Sequence, residues 1–378
     1  MKLNIGIYNL QMRAMGGGEK LTLVLAEHLS VTHNVWLFTS DQPDIGLLEE
    51  YFAVDLSRVD VVALNGSGSL APVMRRFRNT VPLTLPHPHF RQLQKFRLDL
   101  FVNNSFASDL QCPAPLGIFM CMFPHSVATT KTDESPIDSY SKVVAISNFT
   151  AGWVGRMWKR EAAVIYPPCD DMGPPVSKQK IILHVGRFIA DSDADERHHK
   201  GQAVLLEAFS RLPDLHRDGW ELHFVGSVAP DKRSADYVKT IEQNAAGLPV
   251  SFHFDASRDE VRELYRKATM FWHATGYGSL ENIHPAKQEH FGIATSEAMS
   301  AGVIPLAYAS GGQKEIVTDG VDGYLWEDVD GLASRTLALA TDSRLRERLS
   351  QETIESSKRF GRNNFAASID GLVESLVS

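Results

Sequence analysis

Cysteine is scarce: Cys112, Cys121 and Cys169 are the whole complement. Their spacing suits neither a metal-ligand set nor a disulfide framework, so a reducing cytoplasm is expected, with the thiols serving as small core residues. No stretch approaches the ~20 apolar residues of a spanning helix, and the first residues show no charged leader followed by an apolar run. Membrane spanning and secretion are therefore not expected. Excess positive charge is missing as well. A formal charge of −8 argues against general affinity for nucleic acid, because polyphosphate binding needs a net basic face. Internal repeats and low-complexity tracts are absent too.

What remains is a globular chain of 378 residues, 43% apolar and 22% charged, too long for one ordinary core. Short apolar runs rich in branched residues alternate with helical spacing. "LNIGIYNL", "HNVWLFTS", "VDVVALN", "LDLFVNNS", "LGIFMCMF" and "SKVVAISN" read as buried parallel strands of a first α/β layer structure. Prolines and a glycine in "YPPCDDMGPP" (166–175) mark a linker. A second series follows in "KIILHVGRF", "WELHFVGSV", "VSFHF", "ATMFWHAT" and "VIPLAYAS". The expected fold is two doubly wound, Rossmann-like domains, 1–172 and 173–361, facing each other across a hinge. The amphipathic stretch within 362–378 is expected to pack on either domain.

Three constellations carry chemistry. After the first strand come Gly16, Gly17 and Gly18, then a helical pattern from Glu19. Leu21 stands where a dinucleotide fingerprint needs its last glycine, so a nicotinamide site is not expected. Glycines there would allow unusual backbone angles and let amides approach an anion. In the second half Arg187 ends a strand and Lys200 opens a helix, placing two cations at the carboxyl end of a sheet, where a diphosphate could be neutralised. The D-x-D of Asp193 and Asp195 between them reads as a solvated acidic loop, and no metal site is expected. Finally, "QEHFGIATSEAMSAG" (288–302) bends at Gly292 and enters a helix near Ala294. Glu289 precedes that helix and Glu297 lies within its first turns. Phe291, Gly292, Ile293, Ala294 and Thr295 would line the bend with amides free to donate, the carboxylates accepting from sugar hydroxyls, and His290 joins them as a donor-binding candidate. Taken singly, each of these residues also has a plain reading as a turn, a surface cation or a capping carboxylate.

"EHFGIATSE" resembles the E-x7-E signature of retaining glycosyltransferase family 4, and "GGQKEIVTDGVDGYLW" is similar to that family's next segment. "VGRF…KGQAVLLEAF" is similar to its phosphate-binding element, "VIYPPCD" to its interdomain linker, and "GGGEK" to the glycine loop of Alg-type mannosyltransferases and bacterial polysaccharide glycosyltransferases. The matches run in family order along almost the whole chain. The resemblance implies a GT-B fold with an interdomain cleft, Glu289 on the transferred sugar, Glu297 on the ribose, and Arg187 and Lys200 on the phosphates. "MCMFPHSV" resembles the segment carrying an active-site histidine, here His125. The stretch from Phe188 to His199 is longer than the family's usual spacing between arginine and lysine.

The implied activity is metal-independent, cofactor-free transfer of a hexose from a nucleoside diphosphate sugar, of UDP-glucose or GDP-mannose type, with retention. The acceptor would be a saccharide or lipid-linked saccharide in polysaccharide or glycolipid synthesis. From Arg75 to Arg97, Arg76, Arg78, Arg91 and Lys95 interleave with Phe77, Phe90 and Phe96 without an acidic residue. This segment reads either as a peripheral contact with anionic membrane at the cytoplasmic face or as a solvated helix with core aromatics. A nucleotide-sugar epimerase of the same fold and a non-catalytic nucleotide-sugar-binding protein are the alternatives.

Overall fold

The computed structural model describes residues 1–64, 87–125, 135–190 and 199–378. They form two compact units, residues 1–168 with 362–378, and residues 169–361. The first holds β1 (Asn4–Tyr8), β2 (Asn34–Thr39), β3 (Val59–Ala63), β4 (Leu100–Asn103), β5 (Leu116–Cys121), β6 (Lys142–Ala145) and β7 (Ala163–Val164). They pair in parallel in the order β3-β2-β1-β4-β5-β6-β7. The second holds β8 (Ile181–Val185), β9 (Glu221–Val225), β10 (Val250–His253), β11 (Met270–His273), β12 (Ile304–Tyr308) and β13 (Tyr324–Trp326), also parallel, in the order β10-β9-β8-β11-β12-β13. This is the doubly wound α/β architecture expected from the alternating runs.

Every apolar run named above is one of these strands; the inner ones are apolar at consecutive positions because both faces are covered, whereas the edge strands β3 and β10 are only partly buried. β7 and β13, with two and three residues, are too short to leave such a run. In the second unit alternate residues feed opposite layers. Ile182, Leu222, Met270, Trp272 and Ile304 pack with Phe209 and Trp220 on one face. Leu183, Val225, Phe271 and Val303 pack with Tyr265 on the other. Each large side chain so buried contributes about 1.5–3 kcal/mol relative to exposure.

The linker belongs to the second unit from Cys169 onward. Its backbone N–H donates to the Phe360 carbonyl at 2.9 Å, and Cys169 bridges Gly361, so the chain enters and leaves this unit at one place. Arg258 holds buried Asp170 at 2.9 Å, and the Met172 amide donates to Ser300 Oγ at 3.0 Å. The last helix, Arg362–Val377, is part of the first unit: Phe365, Ile369 and Val373 are buried, and His28 meets Asp370 at 2.7 Å. All three cysteines are free, and burial pushes the Cys121 thiol well up, as suits an inert core residue.

In both sheets the chain order reverses once, between β1 and β4 and between β8 and β11. At such a reversal successive crossovers depart to opposite faces, leaving a crevice beyond the carboxyl ends of the two strands. Six helices away from those ends begin on side-chain caps: Asp44, Ser147, Asp231, Ser257, Asp328 and Asp342 each accept from an amide of the first turn. Helices Gln202–Ser210 and Ile293–Ser300 instead begin on Gly201 and Gly292, with no side-chain cap.

Candidate functional site

The β8 to β11 reversal gathers the second unit's polar side chains. Beyond β8 the chain turns through Gly186 and Arg187, a turn clamped from two directions. Buried Gln202 donates to the Gly186 and Arg187 carbonyls at 3.3 and 3.1 Å, and the Phe188 amide reaches Ser227 O at 2.9 Å. Gly226 crosses so closely that a Cβ there would lie 2.3 Å from Gly186 O, which only glycine avoids at its φ of +155°. Arg187 emerges exposed from this fixed turn.

Lys200 approaches from the other side. Gly201, at φ +72°, packs against Ala274 just beyond β11; a Cβ would stand 2.7 Å from Ala274 Cβ. The Lys200 stem passes over Gly186, its Cγ 3.0 Å from where a Cβ would be, so the sheet brings the lysine to the turn that carries Arg187. Its Nζ donates to Glu289 Oε2 at 2.7 Å, both side chains about four-fifths buried (22% and 17% exposed). His273, the last residue of β11, places Nε2 3.3 Å from the same oxygen. Burial holds the His273 imidazole below its ordinary pKa, against the pull of the Glu289 carboxylate. His184 of β8 is also fully buried; its Nδ1 bonds Trp272 O at 2.9 Å, and burial pushes its pKa down to about 3.

Glu289 sits on a turn built from backbone and glutamine. Its carbonyl accepts from Gly312 N at 2.8 Å, and Gly311 (φ +56°) leaves no room for a Cβ, which would be 2.2 Å from Glu289 O. Gln288 Nε2 donates to Ser279 O and His284 O at 3.2 and 3.3 Å, while Ser310 Oγ donates to Gln288 Oε1. Gln313 Nε2 donates to Phe291 O at 3.3 Å, and Phe291 packs edge-on against Phe360. Gly292 takes φ +122° and starts helix Ile293–Ser300, one residue earlier than Ala294. One expectation changes here. The Thr295 and Ser296 amides both return to Gly292 O, at 3.1 and 3.2 Å, because the first turn tightens; the Thr295 amide is already engaged. Ile293 and Ala294 precede that ladder at the helix mouth. His290 is half-buried on the same turn. Glu297 is half-buried in the helix, close enough that its charge joins burial in raising the Tyr265 hydroxyl pKa.

The remaining candidates lie in the first unit. Gly16, Gly17 and Gly18 do not take the unusual angles expected of them; the left-handed residue is Met15, at φ +49°. The Gly16 amide is capped by Glu19 Oε2 at 2.8 Å, and the Gly18 carbonyl accepts from Asn104 Nδ2 at 3.1 Å, so the loop's polar groups close a helix start. Gly18 has a packing reason: a Cβ would stand 2.9 Å from Met122 Cε. His125 is nearly buried, its Nε2 3.5 Å from Asp109 Oδ1 and its ring edge-on to Trp158. Phe90 and Phe96 pack into the first core, whereas Arg91, Lys95 and Arg97 are exposed. Arg76, Phe77 and Arg78 fall outside the described residues, as do Asp193 and Asp195. Among the described residues no helix is long and apolar enough to cross a membrane.

Sequence reasoning missed His273, His184 and the three glutamines. A histidine inside "MFWHA" reads as an ordinary strand residue, and glutamine leaves no charge or periodic signal; the one available cue was a basic side chain ending an otherwise apolar strand.

Residues 173–356 match the family described as Glycosyl transferases group 1. The chain is similar to GDP-Man:Man(3)GlcNAc(2)-PP-Dol alpha-1,2-mannosyltransferases: 25% identical to that of Dictyostelium discoideum over 61% of this chain and 46% of the relative. To that of Mus musculus it is 26% identical over 64% and 50%. It thus spans about half the length of these curated relatives. Among solved structures, Anabaena HepE in complex with UDP and glucose superposes with a TM-score of 0.70 at 18% identity, covering 99% of this chain and 100% of the other. Sucrose-phosphate synthase of Thermosynechococcus elongatus gives 0.69 at 17% identity over 100% and 99%. The fold is GT-B.

Proposed function

Starting from residues 173–356 as a Glycosyl transferases group 1 domain, we propose that the chain is a retaining, family 4-type hexosyltransferase. It would move a hexose from a nucleoside diphosphate sugar to a hydroxyl of a saccharide or lipid-linked saccharide. The observation that carries this reading is the Lys200–Glu289 pair, 2.7 Å apart at the β8 to β11 reversal, on turns fixed by glycine and glutamine. It sets a mobile cation and a carboxylate side by side where a diphosphate and the sugar attached to it need them.

In this mechanism Arg187 and Lys200 take up the negative charge that grows on the diphosphate as the bond to C1 breaks. The helix mouth at Gly292 to Ala294 presents amides to the same anion. Glu289 accepts from hydroxyls of the transferred sugar, and Glu297 from those of the ribose. The acceptor hydroxyl attacks C1 from the face that the diphosphate leaves, and its proton passes to a donor phosphate oxygen. No protein nucleophile is involved. For His125, assigned beside the sugar, the support is its segment and its placement 3.5 Å from Asp109. The names of the curated relatives favour GDP-mannose and a lipid-linked acceptor; the Anabaena complex favours a UDP-hexose.

A thermal-shift screen decides the base, since a ligand present at 100 times its Kd adds about 2.7 kcal/mol to the native form. Incubation with the matching sugar nucleotide and an acceptor, followed by NMR of the anomeric centre, should show a new bond with the donor's configuration. Arg187→Ala should lower turnover about a hundredfold, the usual effect of losing one preorganised donor to a developing charge. Near-normal turnover would remove Arg187 from this role.

A further inference from the structure

His273 is an expensive residue for its place. Met270, Phe271 and Trp272, the rest of β11, are fully buried and apolar, as a central parallel strand requires. An imidazole there loses its hydration and must recover a hydrogen bond. Its only short polar contact among the described residues is Nε2 to Glu289 Oε2 at 3.3 Å, while Nδ1 has no partner among them. Lacking a partner on Nδ1, the ring does best as the neutral tautomer with its proton on Nε2, because an unpartnered acceptor is tolerated better than an unpartnered N–H. Two donors therefore converge on Oε2: an ammonium at 2.7 Å and an imidazole N–H.

The two are not equivalent. Lys200 has a flexible stem and a charge that a diphosphate competes for. His273 is clamped in the sheet and carries no charge to be drawn away. We propose that His273 is a positioning residue that keeps the Glu289 carboxylate aligned to the transferred sugar while Lys200 turns its charge to the departing diphosphate. This inference rests on the function proposed above and deepens it: sugar recognition depends on a buried neutral donor that has no contact with the nucleotide.

The test compares wild type with His273→Leu, which removes the donor, and His273→Gln, whose amide restores an N–H near the Nε2 position. Calorimetry with GDP, UDP, GDP-mannose and UDP-glucose separates nucleotide from sugar recognition, and steady-state kinetics separates kcat from KM. His273→Leu should lower kcat roughly ten- to hundredfold, the range expected for losing a hydrogen bond to a charged group. It should also erase the extra affinity of the sugar nucleotide over the bare diphosphate while leaving the bare diphosphate within about twofold. His273→Gln should regain most of both. Equal loss of GDP or UDP affinity would make the histidine a general structural residue and overturn the inference. So would unchanged kinetics in His273→Leu, or a glutamine variant as impaired as the leucine one. Wild type that binds none of the four probes would instead overturn the functional reading, and this inference with it.

Discussion

His184 shows how far a single buried side chain can set the protein's response to acid. Its pKa is pushed down to about 3 chiefly by burial, and its Nδ1 is bound to Trp272 O. In the unfolded chain the same imidazole titrates near its ordinary value of about 6.5. Between those values the unfolded form takes up a proton that the folded form refuses, so stability is full above pH ~6.5 and falls as pH drops, by up to ~1.4 kcal/mol per unit. His89, His223 and His273 are lowered in the same direction, each mainly by burial, and add to the slope. The melting temperature should fall steadily from pH 6.5 to 5, and His184→Asn, which keeps a donor for Trp272 O, should flatten that fall. An unchanged slope in the variant would mean that His184 is already protonated in the fold. Much of the candidate site was legible at this scale because charge leaves a trace in sequence: Arg187, Lys200, Glu289 and Glu297 stand out as ionisable residues at strand and helix ends. His273 and the bracing glutamines did not stand out, because what makes them matter is whom they touch, across as many as 22 residues.

Strands and helices were readable where one physical demand dominated. Two-sided burial wrote the inner strands as apolar runs, the edge strands β3 and β10 kept enough branched and aromatic residues to be read without full burial, and β7 and β13 escaped through their two- and three-residue lengths. The glycine loop was harder. Gly16, Gly17 and Gly18 suggest backbone freedom, yet there Gly18 serves the packing of Met122 and the positive φ falls on Met15. Gly292 does use the freedom. Its φ of +122° and the Gln313 amide, 2.1 Å from a would-be Cβ, make Gly292→Ala strained on two counts. That variant should lose about 1–3 kcal/mol of stability and, by shifting the turn that carries Glu289, most of its turnover. Asp328→Ala is the matched control. It removes an ordinary cap whose carboxylate accepts from Gly331 N at 2.7 Å, and should cost about 1 kcal/mol with turnover intact. Chemical denaturation together with kinetics distinguishes the two; equal turnover loss in both would mean that the second unit responds to any destabilisation.

Across the whole molecule, the first unit is discontinuous in sequence and the second is not. Helix Arg362–Val377 closes the first core through Phe365, Ile369 and Val373, and Arg362 donates to the Phe52 and Ala53 carbonyls at 2.6 and 2.9 Å. Three buried apolar side chains correspond to roughly 4–9 kcal/mol, comparable to the net stability of a domain. Deleting 362–378 should therefore raise amide exchange through β1, β2 and β3, read by mass spectrometry; unaltered protection would show that the helix is an ornament on a core complete without it. The adjoining ends of the second unit, where Cys169 bridges Gly361, have a consequence for biosynthesis. A nascent chain growing from its amino terminus can finish residues 169–361 while the first unit still waits for its closing helix. The later half of the message would then mature first, and a partly translated product would leave the earlier half prone to capture by chaperones.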